Sequence, residues 1–329
     1  MIIVTGGAGF IGSCIVRSLN DSGREDLVIV DHICEDDKWC NLKNKKYIEY
    51  IDRDDFLSRL PEFKGKVSHI IHMGACSDTT ETDFDYLYKN NYEYTKTLWE
   101  FAAEEGISFI YASSAATYGD GSQGFDDKED IERLEPLNGY GRSKHLFDLW
   151  AEKELRDGHK GPKQHVGLKF FNVYGPNEYH KGTMASVVLH TFNEVNATGK
   201  KGLFRSYKAE YKDGEQLRDF VYVKDVCKVV EYMMEHPEIS GLFNVGTGKA
   251  RSFNDLVTAT FTAMGKAPVI EYIDMPESLR DKYQYYTQAD IEKLRSVGYT
   301  EDFFSLEDGV KDYVQGYLDK GCERLGVKK

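Results

Sequence analysis

The N-terminal stretch MIIVTGGAGFIGSCIVRSLNDSGREDLVIVD, residues 1–31, constrains the fold more than any other part of the chain. Its first apolar run, residues 2–4, has no polar alternation and predicts a parallel strand that is buried on both faces. A glycine-rich turn, TGGAGFIG, follows this strand, and a helix is predicted from there to about Asn20. A second apolar run at residues 27–30 then completes a predicted βαβ unit.

The glycine spacing in this unit indicates what it binds. Gly6 permits the tight turn, Gly9 lets the backbone approach a pyrophosphate, and Gly12 lets the helix pack closely against the strand. The helix N-terminus offers N–H groups to phosphates. Asp31 ends the second strand, where a carboxylate can accept hydrogen bonds from an adenosine ribose. Together these features predict a dinucleotide site rather than a tight turn that binds no ligand.

Composition and charge exclude several other classes of protein. The chain has 329 residues and a net charge of −13, which opposes non-specific binding to nucleic acid or to anionic membranes. No apolar run approaches the ~20 residues needed to span a bilayer, and Met1 leads directly into the first strand. The cysteines form no CxxC pair, so we expect reduced thiols in a cytoplasmic protein and no metal site; they are Cys14, Cys34, Cys40, Cys76, Cys227 and Cys322.

The order of apolar and amphipathic segments predicts an α/β fold with a doubly wound parallel Rossmann sheet in residues 1–171. Residues 172–329 are predicted to form a smaller C-terminal α/β substrate-binding lobe, from which a segment near 217–248, including GLFNVGTG, returns to the main sheet. Further strands are predicted at 47–51, 67–72, 107–112, 165–171, 217–223 and 241–245, and helices at 55–60, 83–105 and in NGYGRSKHLFDLWAEKEL.

A tyrosine and a lysine one helical turn apart are the main candidates for chemistry. Tyr140 and Lys144 form YxxxK, and an ammonium at that distance is expected to lower the pKa of the phenol towards neutral pH. Ser114 ends a predicted strand upstream, where its hydroxyl can exchange a proton with Tyr140 or orient a substrate hydroxyl. Alone, YxxxK often marks only a surface pair. Its combination with TGGAGFIG and SSAATYG predicts an oxidoreductase-type site.

Five strings in one order carry a resemblance over essentially the whole chain: TGGAGFIG, SSAATYG, YGRSK, FFNVYGP and RDFVYVKDV. Together they resemble the extended short-chain dehydrogenase/reductases, the class of nucleotide-sugar epimerases and dehydratases. The finer strings GACSDTTE, NVYGPNEYHKGTMASV and YQYYTQADIEKLRSVGY resemble the branch that inverts C6 of an ADP-linked heptose for the lipopolysaccharide core. The resemblance implies a cytoplasmic isomerase with a tightly held nicotinamide, an ADP-heptose substrate and a homo-oligomeric assembly, a pentamer in that branch.

The resemblance also implies roles for individual residues. The second proton-transfer group of the branch is a lysine in an EGHKG-like loop, which here reads EYHKG and assigns Lys181 beside Tyr140, Lys144 and Ser114. Substrate contacts are implied for Ser114, Asn172, Thr183, His190, Phe204, Arg218 and Tyr283. Cofactor contacts are implied for Gly6, Gly9, Phe10, Ile11, Gly12, Asp31, His32, Lys38, Arg53, Met73, Gly74, Ala75, Cys76, Ser77, Asn90, Lys144, Val173 and Lys181.

Several alternatives remain at this stage. Sugar 4,6-dehydratases carry an Asp–Glu pair where this chain has Ala115 and Ala116, which removes the acid–base pair for dehydration. A dehydrogenase that produces an acid needs a nucleophilic cysteine, and Cys76 lies in the family's own GACS turn. A UDP-hexose 4-epimerase and a non-catalytic protein on the same fold are the other possibilities. Asp31 alone favours NAD, because a carboxylate repels a 2′-phosphate, but the resembled branch uses NADP with an acid at this position. The resemblance therefore implies NADP, with His32, Lys38 and Arg53 available to the 2′-phosphate, and NADP is our prediction.

Overall fold

A parallel sheet organises the chain in the computed structural model, which describes residues 1–33, 37–280 and 283–326. The sheet has seven parallel strands in the order β10-β6-β5-β4-β1-β2-β3. Read from the β3 edge, strands β1 to β6 lie in the Rossmann order 3-2-1-4-5-6, so the predicted α/β fold class is confirmed. The strands of this sheet are β1 (Ile2–Thr5), β2 (Leu27–Asp31), β3 (Glu49–Asp52), β4 (His69–His72), β5 (Ser108–Ser114), β6 (Gln164–Phe170) and β10 (Gly241–Val245).

Helices cover both faces of this sheet, as crossover connections between parallel strands require. The longer helices are α1 (Phe10–Asp21), α4 (Tyr94–Glu105), α5 (Gly139–Arg156), α6 (Val187–Thr198), α7 (Val223–Glu235) and α8 (Phe253–Ala263). The shorter ones are α2 (Arg53–Arg59), α3 (Phe84–Leu87), α9 (Glu277–Arg280), α10 (Glu292–Ser296) and α11 (Leu306–Tyr313). In the described residues no helix is long and apolar enough to cross a bilayer.

The helix predicted over residues 83–105 is interrupted by one π-helical segment, Tyr88–Glu93, between α3 and α4. Such segments widen the helix locally and often occur at functional sites. In this segment Asn90 accepts a hydrogen bond from Arg53, and Asn91 donates one to Ser143. The polar stretch after Asp31 contains a short 3₁₀ helix, Asp37–Leu42, and Cys34 lies outside the described residues.

The segment near 217–248 contributes one strand to the main sheet and another to a separate sheet. β10 pairs with β6 at the edge of the main sheet, and α7 packs on α1 in the same hydrophobic core. β9 (Leu217–Tyr222), however, pairs with β7 (Asn172–Tyr174) and β11 (Ala250–Ser252) in a separate sheet. The reason is that β7 leaves the main sheet directly after β6 and takes β9 as its partner. β8 (Lys201–Phe204) and β12 (Ile270–Ile273) form a further pair.

Candidate active site

A cavity of about 750 Å³ opens along the carboxyl edge of the main sheet, where parallel α/β sheets bind their ligands. It brings together most of the side chains that the sequence predicted for the site. From the first half of the chain it is lined by Gly6, Gly9, Phe10, Ile11, Gly12, Asp31, His32, Lys38, Arg53, Met73, Gly74, Ala75, Ser77, Asn90, Ser114, Tyr140 and Lys144. From the second half it is lined by Asn172, Val173, Lys181, Thr183, Arg218 and Tyr283.

Three of the predicted side chains lie off the cavity wall. His190 on α6 contacts the carbonyl of Thr183 through Nε2 at 3.3 Å, and Phe204 packs edge-on against Tyr283 at 6.4 Å between ring centroids. The residues that they contact, Thr183 and Tyr283, do line the cavity. Cys76 is held by its backbone: its N–H donates to Asn91 Oδ1 at 2.8 Å and its carbonyl accepts from Asn91 Nδ2 at 3.0 Å.

The glycine-rich turn allows two close backbone approaches. Gly6 has a φ of +65°, and a Cβ there would lie 2.6 Å from the backbone nitrogen of Gly74, at the point where β1 and β4 diverge. A Cβ at Gly12 would lie 2.1 Å from the carbonyl oxygen of Gly6, so this glycine fits the helix against the turn rather than against the strand as predicted. Among the described residues no side chain caps α1 at Gly9, which suits a phosphate at this helix N-terminus.

The carboxylate of Asp31 organises the turn as well as facing the cavity. Its Oδ2 accepts from the N–H groups of Ala8 at 2.8 Å and Gly9 at 3.1 Å. Its Oδ1 accepts from the N–H of His32 at 2.7 Å and from the ammonium of Lys38 at 2.5 Å. The negative charge at the end of β2 is therefore paired with a cation within the protein.

Ser114 and Tyr140 are close enough to interact from different elements. Ser114 ends β5, and its Oγ accepts from the N–H of Ala116 at 3.1 Å. Burial raises the pKa of the Tyr140 phenol, while a hydrogen bond with Ser114 acts to lower it. We predicted that Lys144 would lower this pKa below its usual value. That prediction was wrong, because burial of the phenol outweighs the effects that favour the phenolate.

Lys144 lies one turn further along α5 and points towards the same strand. Its ammonium donates to the carbonyl of Ala112 at 3.0 Å. Burial lowers the pKa of Lys144 to about 8, and the carboxylate of Asp148 on the next turn acts in the opposite direction. Burial therefore brings the pKa of this ammonium closer to neutral pH than that of an ordinary lysine.

A buried ion pair behind Lys144 was missed by the sequence reasoning. Lys169 on β6 and Asp148 on α5 are both fully buried, with 3.2 Å between Nζ and Oδ2. Asp148 also accepts hydrogen bonds from Tyr111 at 3.0 Å and Ser113 at 2.7 Å, and Lys169 donates to Thr117 at 2.7 Å. The pair therefore ties α5 to the strand end that carries Ser114. In the sequence, the lysine in LKFF within an apolar run was the available signal.

Lys181 approaches the cavity on a separate loop, the 3₁₀ segment Tyr179–Met184. Its ammonium lies 5.7 Å from the ring centroid of Phe10 at the start of α1, and burial lowers its pKa. The loop begins at Glu178, a buried carboxylate that accepts from the N–H and the hydroxyl of Ser186, both at 2.6 Å. Ser186 in turn caps α6 through Leu189. Glu178 thus joins both ends of the loop, a role that its sequence position alone does not indicate.

At the other end of the cavity Arg218 is stacked among aromatic rings. Its guanidinium carbon lies 5.2 Å from the ring centroid of Tyr283 and 5.7 Å from that of Phe253. It donates to the carbonyls of Leu217, at 2.8 Å, and Gln284. These contacts hold the planar group in place, an arrangement suited to a phosphate or to an aromatic base.

Comparison with known proteins identifies the family. The model of the NAD dependent epimerase/dehydratase family matches residues 2–246. The chain belongs to this family. The predicted resemblance to nucleotide-sugar epimerases and dehydratases is thereby confirmed, and a nicotinamide dinucleotide is the cofactor of the fold. The family match spans β1 to β10, so it includes every strand of the main sheet.

Relatives within the epimerase/dehydratase family narrow the resemblance. The chain is 54% identical to the ADP-L-glycero-D-manno-heptose-6-epimerase of Fusobacterium nucleatum over 331 aligned residues. The alignment covers 97% of this chain and 98% of the relative. It is 44% identical to the enzyme of that name from Thiobacillus denitrificans, with 96% and 98% covered. The solved Helicobacter pylori ADP-L-glycero-D-manno-heptose-6-epimerase superposes with a TM-score of 0.78 at 32% identity, covering 96% and 95%.

Solved structures of other epimerases share the fold at lower identity. The UDP-glucose 4-epimerase of Thermotoga maritima superposes with a TM-score of 0.78 at 27% identity, covering 98% of this chain and 99% of that one. The TM-score is thus the same for two members with different substrates. Overall shape therefore does not separate a heptose epimerase from a hexose epimerase.

Proposed function

We propose that this protein interconverts ADP-D-glycero-D-manno-heptose and ADP-L-glycero-D-manno-heptose by oxidation and re-reduction at C6. The observation that carries this proposal is that Lys181 and Tyr140 line one cavity from different elements, with the glycine-rich turn between α1 and β1 on the same wall. A UDP-hexose 4-epimerase would need only one such group, the tyrosine. The relatives at 54% identity support the same activity.

The side chains suit an inversion that uses both faces of one carbon. A bound nicotinamide supplies the acceptance and return of hydride. The C6 oxygen must lose a proton on oxidation and regain one when hydride returns to the opposite face. Tyr140, whose pKa is raised by burial, serves as one proton-transfer group, with Ser114 on the same cavity wall. Lys181, whose pKa burial lowers, serves as the second.

We propose NADP rather than NAD as the dinucleotide, and the charges around Asp31 support this choice. Lys38 pairs with the Asp31 carboxylate at 2.5 Å, which removes the repulsion that an unpaired carboxylate would exert on a 2′-phosphate. His32, Lys38 and Arg53 all line the cavity. Arg53 donates to Asn90 Oδ1 at 2.9 Å, which holds the guanidinium in place. The competing affinities for the two dinucleotides test this proposal, and Lys38→Met should reduce the preference for NADP.

The ADP moiety of the substrate is assigned to the end of the cavity that carries Arg218. A guanidinium held between Tyr283 and Phe253 can pair with a diphosphate in a bidentate manner while the rings offer stacking surface. Asn172 and Thr183 line the same cavity and are available to the sugar. His190 and Phe204 would act on the substrate through Thr183 and Tyr283, which they contact.

Three further features belong to the same proposal. Residues 1–171 with the returning strand β10 form the dinucleotide-binding domain, and most of residues 172–329 form the substrate lobe. We place the enzyme in the cytoplasm, where an activated heptose for the lipopolysaccharide core would be made. We also propose a homo-oligomer, a pentamer by family resemblance. Light scattering of the purified chain tests the assembly.

The activity is tested by incubating the protein with ADP-D-glycero-D-manno-heptose and, separately, with UDP-glucose, followed by NMR of the products. We expect inversion at C6 of the heptose and no hexose product. Turnover of UDP-glucose alone would favour the 4-epimerase instead. Tyr140→Phe and Lys181→Met should each nearly abolish inversion while the dinucleotide stays bound. A near-wild-type rate for Lys181→Met would contradict the use of two proton-transfer groups.

A further inference from the structure

The loop that carries Lys181 is joined to the glycine-rich turn by one buried asparagine. Asn41, on the 3₁₀ helix Asp37–Leu42, is 1% exposed and donates through Nδ2 to the carbonyls of Ala8 and Asn177, both at 3.0 Å. Ala8 belongs to the turn and Asn177 precedes the loop. An amide nitrogen has two hydrogens, and these two carbonyls account for both. His180, next to Lys181, adds a longer contact at 3.4 Å from its Nδ1.

The second anchor of the loop is Asn177 itself. It is fully buried with a φ of +78°, a region that asparagine tolerates better than most other residues. Its Nδ2 donates to Ser13 Oγ on α1 at 2.8 Å, and its Oδ1 accepts from the N–H of Leu325 at 2.8 Å. The start of the loop is thereby fixed both to α1 and to the C-terminal residues.

The C-terminal residues close the arrangement from the outside. The hydroxyl of Tyr179 donates to the carbonyl of Glu323 at 2.8 Å, and the guanidinium of Arg324 lies 4.8 Å from the centroid of the Tyr179 ring. Arg324 Nε also donates to Asn41 Oδ1 at 3.4 Å. The amide of Asn41 is therefore engaged on both sides, by the turn and the loop through Nδ2 and by this C-terminal segment through Oδ1.

We propose that Asn41 is a positioning residue that sets the register of the Lys181 loop against the glycine-rich turn. The turn determines where the dinucleotide lies, and the loop determines where one proton-transfer group lies. An error of about 1 Å between the two can cost on the order of 10²-fold in rate. The inference rests on the proposed role of Lys181 and assigns a residue outside the cavity wall to the same reaction.

The test is single-turnover hydride transfer to bound oxidised cofactor, measured separately from each C6 epimer by the absorbance of the reduced nicotinamide. Each epimer begins its reaction with a different proton-transfer group. In Asn41→Ala we expect transfer from one epimer to slow at least ~10-fold and transfer from the other by less than ~3-fold. Hydrogen exchange of the 179–184 amides should rise, while dinucleotide affinity stays within ~3-fold of the wild-type value.

Asn244→Ala is the matched control, because Asn244 is also a buried asparagine whose Nδ2 donates to two carbonyls, those of Phe125 at 2.7 Å and Asp290 at 3.0 Å, on segments that do not carry Lys181. It should slow both epimers equally or neither. Asn41→Ser keeps one donor and should show a smaller asymmetry, so a poorly folding alanine variant leaves the test intact. If Lys181→Met slows hydride transfer from one epimer more than from the other, equal slowing of both epimers in the Asn41 variants would overturn the inference. A symmetric Lys181→Met would instead overturn the proposed role of Lys181, and the inference with it.

Discussion

The buried pair of Asp148 and Lys169 provides the sharpest stability test, because both side chains are fully buried at 3.2 Å. Lys169→Met removes the ammonium but leaves Asp148 with the hydroxyl donors of Tyr111 and Ser113. Breaking one partner of a buried pair costs about 3–5 kcal/mol, because the remaining charge stays desolvated. Because Asp148 retains two hydrogen bonds, we expect Lys169→Met to lower the free energy of unfolding by about 3 kcal/mol, the lower end of that range. Asp148→Asn should cost a similar amount, since Lys169 then keeps Thr117 as a hydrogen-bond acceptor.

The assay is urea unfolding of the two single variants and the double variant, followed by tryptophan fluorescence, since the Trp99 ring lies 5.8 Å from that of Phe147 on α5. The double variant buries neither charge, so its loss should fall short of the sum of the single losses by about 2 kcal/mol. A coupling energy below ~0.5 kcal/mol would refute the view that the two charges stabilise each other.

A catalytic readout separates the two partners. Asp148 raises the pKa of Lys144 against the effect of burial, and Lys169 is not among the groups that shift it. Asp148→Asn should therefore move the alkaline limit of kcat/KM to lower pH, whereas Lys169→Met should leave that limit in place despite a similar loss of stability. The same displacement in both variants would mean that the pair acts only through the fold.

Three other predictions concern the cavity. The pKa of Lys144 is about 8 in the folded chain against an ordinary 10.5. Its charged form therefore lowers the free energy of unfolding, and this loss is recovered as the pH rises from about 8 to 10.5. In unfolding measured against pH, the stability of the wild type relative to Lys144→Met should increase over that interval. Gly12→Ala should abolish dinucleotide binding in a fluorescence titration, because its Cβ would lie 2.1 Å from the Gly6 carbonyl. Arg218→Lys should raise KM for the nucleotide sugar at least ~10-fold with a smaller change in kcat, since an ammonium cannot replace a stacked, bidentate guanidinium.

The dinucleotide half was predictable because its signals are local. The apolar run of β1, the glycine spacing and Asp31 each lie within one βαβ unit, and the strand order follows from the topology of such units. Tyr140 and Lys144 were predictable for the same reason, being one helical turn apart. The resemblance, rather than any periodicity, indicated Lys181, because a lysine in a polar loop carries no structural signal of its own.

What the sequence did not predict depends on contacts between distant segments. Glu178, Asn41 and the Asp148–Lys169 pair acquire their roles only when separate elements meet in the fold. The pairing of β9 with β7 has the same origin, since a strand's partner depends on what neighbours it in space and not on its own apolar pattern. The direction of the Tyr140 pKa also depended on burial, which local spacing does not report.

The late position of β10 has a consequence for synthesis on the ribosome. β6 ends at Phe170, yet the strand that covers its outer edge begins only at Gly241. At ~5–20 residues per second, about 4–14 s separate the emergence of the two strands. During that interval the nascent sheet presents an unpaired, apolar edge, which is a template for association with other chains. Newly made chains should therefore depend on chaperones most strongly between these two points, and ribosome-bound chains halted with only β6 emerged should bind a holdase more than chains halted once β10 has also emerged.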